Sequence, residues 1–187
     1  MTGVQTCALP ICLNNHAYES DKVTVINQDA WKFIEQSSDL YDVIIIDLPD
    51  PNNISLGRLY SESFYHLLSS HLSRAGAMVT QSTSPMFSKK AFWCINKTMA
   101  DAGLQTLPYH TYIPSFGEWG FNIASHINIK TKPINPKIKL RYLNDSVFGQ
   151  MQLFPPDIAQ IEVESNRLST HKLIYYYEKG WGEWYDR

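Results

Sequence analysis

The sequence predicts an α/β fold built around a doubly wound sheet. From Lys22 to Ser125, short apolar segments alternate with segments in which apolar residues recur at helical spacing. DVIIID (42–47) is a run of mostly β-branched residues, which is typical of a central parallel strand covered on both faces. Alternation of strands and helices on this scale indicates a sheet with helices packed against it.

The segments around this run have similar signals. VTVI (23–26) predicts a strand, and Asp29 is placed to cap a short helix after it. AGAMVTQ (75–81) predicts the next strand. Helices are predicted before and after that strand. Their apolar faces consist of Tyr60, Phe64, Leu67, Leu68 and Leu72 in the first, and of Ala91, Phe92, Ile95, Met99 and Ala102 in the second, which ends at Gly103.

The last pair of predicted strands narrows the fold further. LQTLPYHTYIP (104–114) and WGFNIAS (119–125) have the spacing of two antiparallel strands. A doubly wound sheet that closes in this way is the methyltransferase-like, or Rossmann-like, form. We therefore assign residues 12–129 to such a domain.

Two further regions flank this domain. KTKPINPKIK (130–139) has the composition of a hinge, so residues 130–187 are predicted to form a hinge and a small helical C-terminal extension. The aromatic residues of the extension are expected to pack against the main domain or a partner subunit. Residues 1–11, MTGVQTCALPI, resemble a translated sequencing adapter, and we expect them not to be native.

Composition excludes several classes of function. The chain has 187 residues, 44% of them hydrophobic and 18% charged, with a net charge of −2, which fits one globular domain and gives no basic surface for nucleic acid. No apolar run approaches the ~18–20 residues that span a bilayer. Cys7, Cys12 and Cys94 form neither a metal-binding pattern nor a disulfide framework, so a reducing cytoplasm is expected. The six histidines also lack metal-ligand spacing, and no metal site is predicted.

Polar side chains fall at the carboxyl ends of the predicted strands. Asp29 follows the first strand, Asp47 and Asp50 follow the second, and Gln81 ends the third. Ligands of open α/β sheets bind outside these ends. Taken alone, Asp29 is better explained as a helix cap, and Asp50, which precedes Pro51, is explained by a role in a turn. Their convergence on one rim favours a binding site, because several buried charges cost stability unless they are solvated or paired.

Several longer motifs resemble the spermidine synthase (polyamine aminopropyltransferase) family. They are YDVIIIDLPDP (41–51), LYSESFYHLL (59–68), GAMVTQSTSP (76–85), AFWCINKTMADAGL (91–104) and PYHTYIPSFGEWGFNIAS (108–125). The tail segments FPPDIAQIEVESNRL (154–168) and YYYEKGW (175–181) are similar to a bacterial branch of the family. The resemblance implies transfer of an aminopropyl group from decarboxylated S-adenosylmethionine to putrescine, which gives spermidine and methylthioadenosine. It implies no prosthetic group.

The resemblance also assigns roles on the side of the acceptor amine. Asp47 matches the catalytic acid of the family motif, Asp50 an acid that binds the substrate amine, and Gln81 a glutamine of the substrate pocket. Phe116 stands near a tyrosine typical of that pocket, which removes one hydroxyl. Glu118 is a candidate to hold the far ammonium of the diamine; a solvated loop charge is the equal alternative.

On the co-substrate side, the resemblance implies contacts from Asp29, Ala30 and Leu48. Asp29 matches the acid that contacts the adenine amino group, and Ala30 stands where the family usually has glycine. Leu48 and Pro49 separate the two acids of the motif where most members have serine or threonine, a substitution that the bacterial branch shares. The Gly-Pro that usually follows is also replaced, around Asn52.

Other features of the family have no counterpart in the sequence. A glycine-rich first turn, the acid for the ribose hydroxyls, and an upstream aspartate and tyrosine would all precede Cys12. The two strands that lie between 23–26 and 42–47 in this sheet would precede it too, so we expect open sheet edges and exposed apolar faces. We expect this fragment alone to be inactive. The resemblance further implies a homo-oligomeric enzyme that acts in the cytoplasm. Some full-length members of the bacterial branch carry an amino-terminal membrane domain, so the parent of this chain is expected to be of that kind or of the kind without it.

Two other functions remain open from the sequence. One is a small-molecule methyltransferase of the same fold, which would also use Asp29 for adenine. The other is a polyamine- or nucleoside-binding domain without catalysis. The two acids at one strand end, together with Gln81, favour the aminopropyltransferase, because they suit a cationic amine.

Overall fold

A four-stranded mixed sheet lies at the centre of the fold. A computed structural model describes residues 16–131, residue 134 and residues 139–185. The strands are β1 (Tyr41–Ile46), β2 (Leu72–Gln81), β3 (Gln105–Ile113) and β4 (Gly117–Ser125), in the order β1-β2-β4-β3. β1 and β2 are parallel, and β4 is antiparallel to both of its neighbours. The antiparallel closing pair predicted from the sequence is therefore confirmed.

Helices follow and connect these strands. They are α1 (Ala30–Gln36), α2 (Ile54–Gly57), α3 (Glu62–Ser70), α4 (Lys89–Asp101), α5 (Asp145–Met151) and α6 (Lys172–Tyr185), with 3-10 turns at Ala17–Glu19 and Arg58–Tyr60. Short polar side chains cap four of them, since Asp29, Asn53, Ser61 and Asn144 each accept a hydrogen bond from a backbone N–H of the first turn. In the described ranges, no helix combines the length and the apolar character needed to cross a bilayer.

The sheet register brings the polar rim residues together. Ile46 lies beside Thr80 in the parallel pair, so Asp47 follows β1 at the level where Gln81 ends β2. Gln81 in turn lies beside Phe121 of β4. Consecutive ladder positions therefore place the ends of three strands at one edge of the sheet.

The core forms between the sheet and one layer of helices. Met78 and Ala124, neighbours in the ladder, are fully buried, and Ile46 is nearly so. Alternate residues point to the opposite face of a strand, and there Val43 and Ile45 are 65% and 73% exposed. This open apolar face matches the expectation from the sequence.

Two predictions of secondary structure were wrong. VTVI (23–26) is not a strand: its residues are exposed and join no ladder. A strand needs a hydrogen-bonded neighbour, and none of the described residues supplies one here. The helix predicted to extend to Leu72 ends at Ser70, and β2 begins at Leu72, where that side chain is buried in the core.

The C-terminal extension packs against the rest of the chain, which is one of the two arrangements expected from the sequence. Helix α6 lies against α4. Leu173 is fully buried, and the Trp93 indole N–H donates a hydrogen bond to the Ile158 carbonyl over 3.1 Å. The Asn166 side chain donates to the Gly57 carbonyl over 2.9 Å. Residues 1–11 and much of the hinge at 130–139 lie outside the described residues.

Candidate active site

A cavity of about 630 Å³ opens at the carboxyl ends of β1 and β2. Asp47, Asp50 and Gln81 contribute its polar groups. Most of the remaining lining is apolar, and its aromatic members are Tyr109, Phe116, Trp119 and Phe121. A largely apolar cavity with a few convergent polar groups is the usual form of a small-molecule site. Four of the five residues predicted on the substrate side, all but Glu118, therefore line one cavity.

The Gln81 amide is held in one orientation. Its Oε1 accepts hydrogen bonds from the Thr83 backbone N–H, over 3.0 Å, and from the Trp119 indole N–H, over 3.1 Å. Both groups can only donate, so the opposite end of the amide must be the NH₂ group. That group donates to the Leu48 carbonyl over 2.8 Å and to Asp50 Oδ1 over 3.0 Å. Gln81 thus ties the loop after β1 to the ends of β2 and β4.

The turn that follows Gln81 is strained. Thr83 has a φ of 56°, in the left-handed region that a β-branched residue rarely adopts. It is fully buried, and its carbonyl accepts a hydrogen bond from the Gly120 N–H over 2.8 Å. A Cβ at position 120 would lie 2.9 Å from that carbonyl oxygen, so close approach of the two backbones requires glycine. Such strain persists where the surroundings over-determine the backbone, often at functional sites.

Tyr60 supports the same loop from inside the protein. Its side chain is fully buried, and its hydroxyl lies 3.2 Å from the carbonyls of Leu48 and Pro49 and 3.1 Å from the Gln81 amide nitrogen. Burial, and after it the negative charge of Asp50, raises the pKa of the Tyr60 hydroxyl above its ordinary value. A tyrosine is protonated at neutral pH even at its ordinary pKa of about 10, so the hydroxyl can act as a donor.

The two carboxylates of the motif differ in how they are held. Asp50 is half-buried, and each of its oxygens accepts a hydrogen bond: Oδ1 from Gln81, and Oδ2 from the Tyr177 hydroxyl over 3.0 Å. Asp47 is exposed and accepts no hydrogen bond from another described residue. Asp50 is thus fixed in orientation, while the carboxylate of Asp47 is open to a ligand.

A second cavity, of about 370 Å³, lies along β1 beside the helices α1 and α3. Ala30, Leu48 and Asp47 contribute to its lining, and Leu48 and Asp47 line the first cavity too. Two of the residues predicted on the co-substrate side, Ala30 and Leu48, therefore line one cavity. Asp47 stands between the two cavities, where groups bound in each would meet.

Asp29 lies close to this second cavity but already has two partners. Its Oδ1 accepts the Lys32 backbone N–H over 3.1 Å, and its Oδ2 forms an ion pair with Arg58 at 2.5 Å. The hydrogen bond from Lys32, followed by the charge of Arg58, lowers the pKa of Asp29 below its ordinary value. The helix-cap interpretation of Asp29 is confirmed, and its contact with adenine stays a prediction.

Glu118 is not brought to the cavity. Trp119, its neighbour in β4, lines the cavity, and alternation along a strand turns Glu118 to the opposite face. There its carboxylate contacts Nδ1 of His110, whose Nε2 lies 2.7 Å from the Leu153 carbonyl. In this arrangement the structure does not support Glu118 as the group that holds a far ammonium.

Sequence reasoning did not identify several residues of the site. Tyr60 was assigned only to a helix face, and Tyr177 only to an aromatic tail. Tyr177 is 127 positions from Asp50, so no local pattern could have linked them. Trp119 could have been identified from the sequence, because its alternation with Phe121 predicted that both side chains share one face of the strand. No group of three or more His, Cys, Asp or Glu side chains among the described residues is arranged to hold a metal ion.

Comparisons with solved structures agree with this fold. A spermidine synthase from Thermotoga maritima matches with a TM-score of 0.65 and 17% identity over 96% of this chain and 55% of its own. A spermidine synthase in complex with the transition state analogue AdoDATO matches with a TM-score of 0.64 and 19% identity, over 89% of this chain and 53% of its own. At these identities the likeness supports the methyltransferase-like fold alone.

Sequence comparisons identify the family. A polyamine aminopropyltransferase of Leptospira interrogans is 44% identical over 90% of this chain and 34% of its own length. Polyamine aminopropyltransferase 2 of Ralstonia nicotianae is 42% identical over 91% of this chain and 34% of its own length. The chain therefore spans about a third of the length of these relatives. The family profile described as spermine/spermidine synthase domain matches residues 6–134. With well over half of its length matched by that profile, the chain belongs to the spermine/spermidine synthase domain family.

Proposed function

We propose that this chain supplies the amine-binding side of an aminopropyltransferase active site. The co-substrate is decarboxylated S-adenosylmethionine, the acceptor is putrescine or a related diamine, and the products are spermidine and methylthioadenosine. The observation that carries the proposal is the contrast between two carboxylates on one rim: Asp50 is clamped by two donors, and Asp47 is open between two cavities.

Asp47 is proposed to assist the chemical step. An alkyl amine has a pKa of about 10, so it must lose a proton before its nitrogen can attack. The nitrogen lone pair forms a bond to the methylene carbon beside the sulfonium, while the carbon–sulfur bond breaks and its electron pair moves to sulfur. The proton leaves the nitrogen for the Asp47 carboxylate, directly or through water. The same carboxylate stabilises the positive charge that develops on nitrogen.

Asp50 and the aromatic walls are proposed to hold the acceptor. The oriented carboxylate of Asp50 accepts N–H groups of the amine, and Gln81 keeps that carboxylate in place. Tyr109, Trp119 and Phe121 line the same cavity and offer apolar surface to the methylene chain of a diamine. Holding the nitrogen in line with the reacting carbon is the main requirement of such a displacement.

The co-substrate is proposed to occupy the second cavity, beside Ala30 and Leu48. The carboxylate of Asp29 has about four lone-pair positions, and two are used by Lys32 and Arg58. The remaining positions can accept an adenine amino group. We further propose that the parent protein acts in the cytoplasm as a homo-oligomer. An amino-terminal membrane domain in the parent, as in some members of the bacterial branch, would be compatible with this arrangement.

A chimera provides the test, because the chain spans about a third of its relatives. In this chimera, residues 16–187 replace the matched segment of the Leptospira interrogans relative. We expect it to form spermidine from decarboxylated S-adenosylmethionine and putrescine. We expect Asp47→Asn to lower kcat at least ~100-fold, the usual scale for loss of a general base, while the KM values change little. Transfer of a methyl group from S-adenosylmethionine instead, or an unchanged kcat in Asp47→Asn, would contradict the proposal.

A further inference from the structure

We propose that Tyr177 positions the acceptor amine through Asp50, so that the C-terminal helix α6 is a functional part of the site. This inference rests on the proposed function, in which Asp50 holds the amine. It goes beyond that function by assigning a role to the C-terminal extension, which lies outside the segment matched by the family profile.

The Asp50 carboxylate is held by two donors from different elements. The Tyr177 hydroxyl donates a hydrogen bond to Asp50 Oδ2 over 3.0 Å, and the Gln81 amide donates to Oδ1, also over 3.0 Å. The last torsion of an aspartate is soft, so one donor leaves the plane of the carboxylate free to turn. Two donors from different elements fix that plane. Hydrogen bonds to an ionised carboxylate are also stronger than those between neutral groups.

Helix α6 is anchored on both sides of Tyr177. One turn earlier, the Ile174 side chain packs closely on Gly57. A Cβ added at Gly57 would lie 3.0 Å from that side chain. One turn later, Gly180 passes against Ser88, where a Cβ would lie 2.8 Å from the Ser88 Cα atom. These positions share one helix face with Tyr177. The position of the hydroxyl is therefore set by close contacts of the helix on either side of it.

The Asp50 carboxylate keeps acceptor positions that its two donors do not use. A carboxylate offers about four lone-pair positions, and Gln81 and Tyr177 use two of them. Asp50 also lines the cavity, so the other positions remain for the ammonium or amine of an acceptor. Without the Tyr177 hydroxyl, the carboxylate can turn away from the direction in which it meets the amine. The loss should therefore affect binding of the diamine more than binding of the co-substrate.

A double-mutant cycle in the 187-residue chain tests the contact without any requirement for activity. Tyr177→Phe and Asp50→Ala should each lower Tm, and the shift of the double variant should be smaller than the sum of the single shifts. Tyr175→Phe is the matched control, because Tyr175 lies on the same helix and is 58% exposed. It should leave Tm unchanged. Additive shifts for Tyr177 and Asp50 would overturn the inference.

Kinetics of the chimera test the role. Tyr177→Phe should raise the KM for putrescine roughly tenfold, the scale of one charge-assisted hydrogen bond, and change kcat much less. The KM for decarboxylated S-adenosylmethionine, and all constants of Tyr175→Phe, should stay as in the unchanged chimera. An unchanged putrescine KM in an active chimera would overturn the positioning role. An inactive chimera whose chain still shows the coupling would instead contradict the proposed function.

Discussion

Gln81 and Asp50, 31 residues apart in sequence, are joined by a hydrogen bond of 3.0 Å from the amide NH₂ group to Oδ1. The other end of the amide is fixed by the N–H groups of Thr83 and Trp119. The amide cannot turn over without breaking both of these contacts. The acidic end of the cavity is thus oriented by β2 and β4, although the acid itself lies on the loop after β1.

This relationship predicts the effect of Gln81→Glu. The new carboxylate oxygen would face Asp50 Oδ1 and the Leu48 carbonyl, which are both acceptors, and would repel them. We expect the free energy of unfolding of the chain to fall by about 1–3 kcal/mol and the KM of the chimera for putrescine to rise. Chemical denaturation measures the first effect. Gln105→Glu makes the same change at an exposed position and should have almost no effect; equal losses in both variants would contradict the prediction.

The close approach at Gly180 predicts a different effect for two alanine substitutions in α6. A Cβ at Gly180 would lie 2.8 Å from the Ser88 Cα atom and would push the helix, and Tyr177 with it, away from Asp50. We expect Gly180→Ala to raise the KM for putrescine in the chimera in the same way as Tyr177→Phe. At Gly182, a Cβ would meet no described atom within 4 Å, so Gly182→Ala should keep KM and gain up to about 1 kcal/mol of stability. The prediction fails if both variants keep the KM.

The environment of Asp29 predicts how stability depends on pH. The Lys32 backbone N–H, followed by Arg58, lowers the pKa of Asp29 below 3.8. Because the folded-state pKa is depressed, the stabilisation is fully present above the unfolded value near 3.8 and is lost as pH falls through the lower folded value. Asparagine keeps the helix cap but not the charge. The difference in Tm between the wild-type chain and Asp29→Asn should be constant from pH 7 to about 5 and shrink toward pH 3. A difference that stays constant over the whole range would refute this.

The open side of β1 predicts that the 187-residue chain alone does not turn over. The cavity that would hold the co-substrate lies beside β1, and Val43 and Ile45 are mostly exposed there. A co-substrate in so open a site is not held in line with the amine. Incubation of the purified chain with decarboxylated S-adenosylmethionine and putrescine should give no more spermidine than its Asp47→Asn variant does. Formation of spermidine above that background would refute the prediction.

Local patterns in the sequence were sufficient to predict much of the sheet and its rim. The β-branched run of β1 and the alternation in β4 encode their own structure, so the positions of Asp47 and Gln81 followed from them. VTVI (23–26) has the same local signal, but pairing between strands depends on a neighbour that no local pattern can report. The position of the Glu118 side chain could have been predicted from the sequence, because its neighbour Trp119 occupies the opposite strand face.

The contacts between distant parts of the chain could not be predicted in this way. Tyr177 and Asp50 meet only because α6 returns across α4 to the end of β1. The same holds for Arg58 and Asp29, which pair across 29 residues. These contacts depend on how helices pack, and helical periodicity gives the buried face of a helix without its partner.

The left-handed turn at Thr83 has a thermodynamic consequence for ligand binding. The free-energy cost of the strained backbone at this residue is part of the free energy of folding. In the folded protein, the Thr83 N–H holds the Gln81 amide, which in turn holds Asp50. A ligand that arrives at this end of the cavity does not have to order these side chains. The conformational entropy of the acidic end is therefore lost during folding, and more of the contact energy remains available as affinity for a ligand bound there.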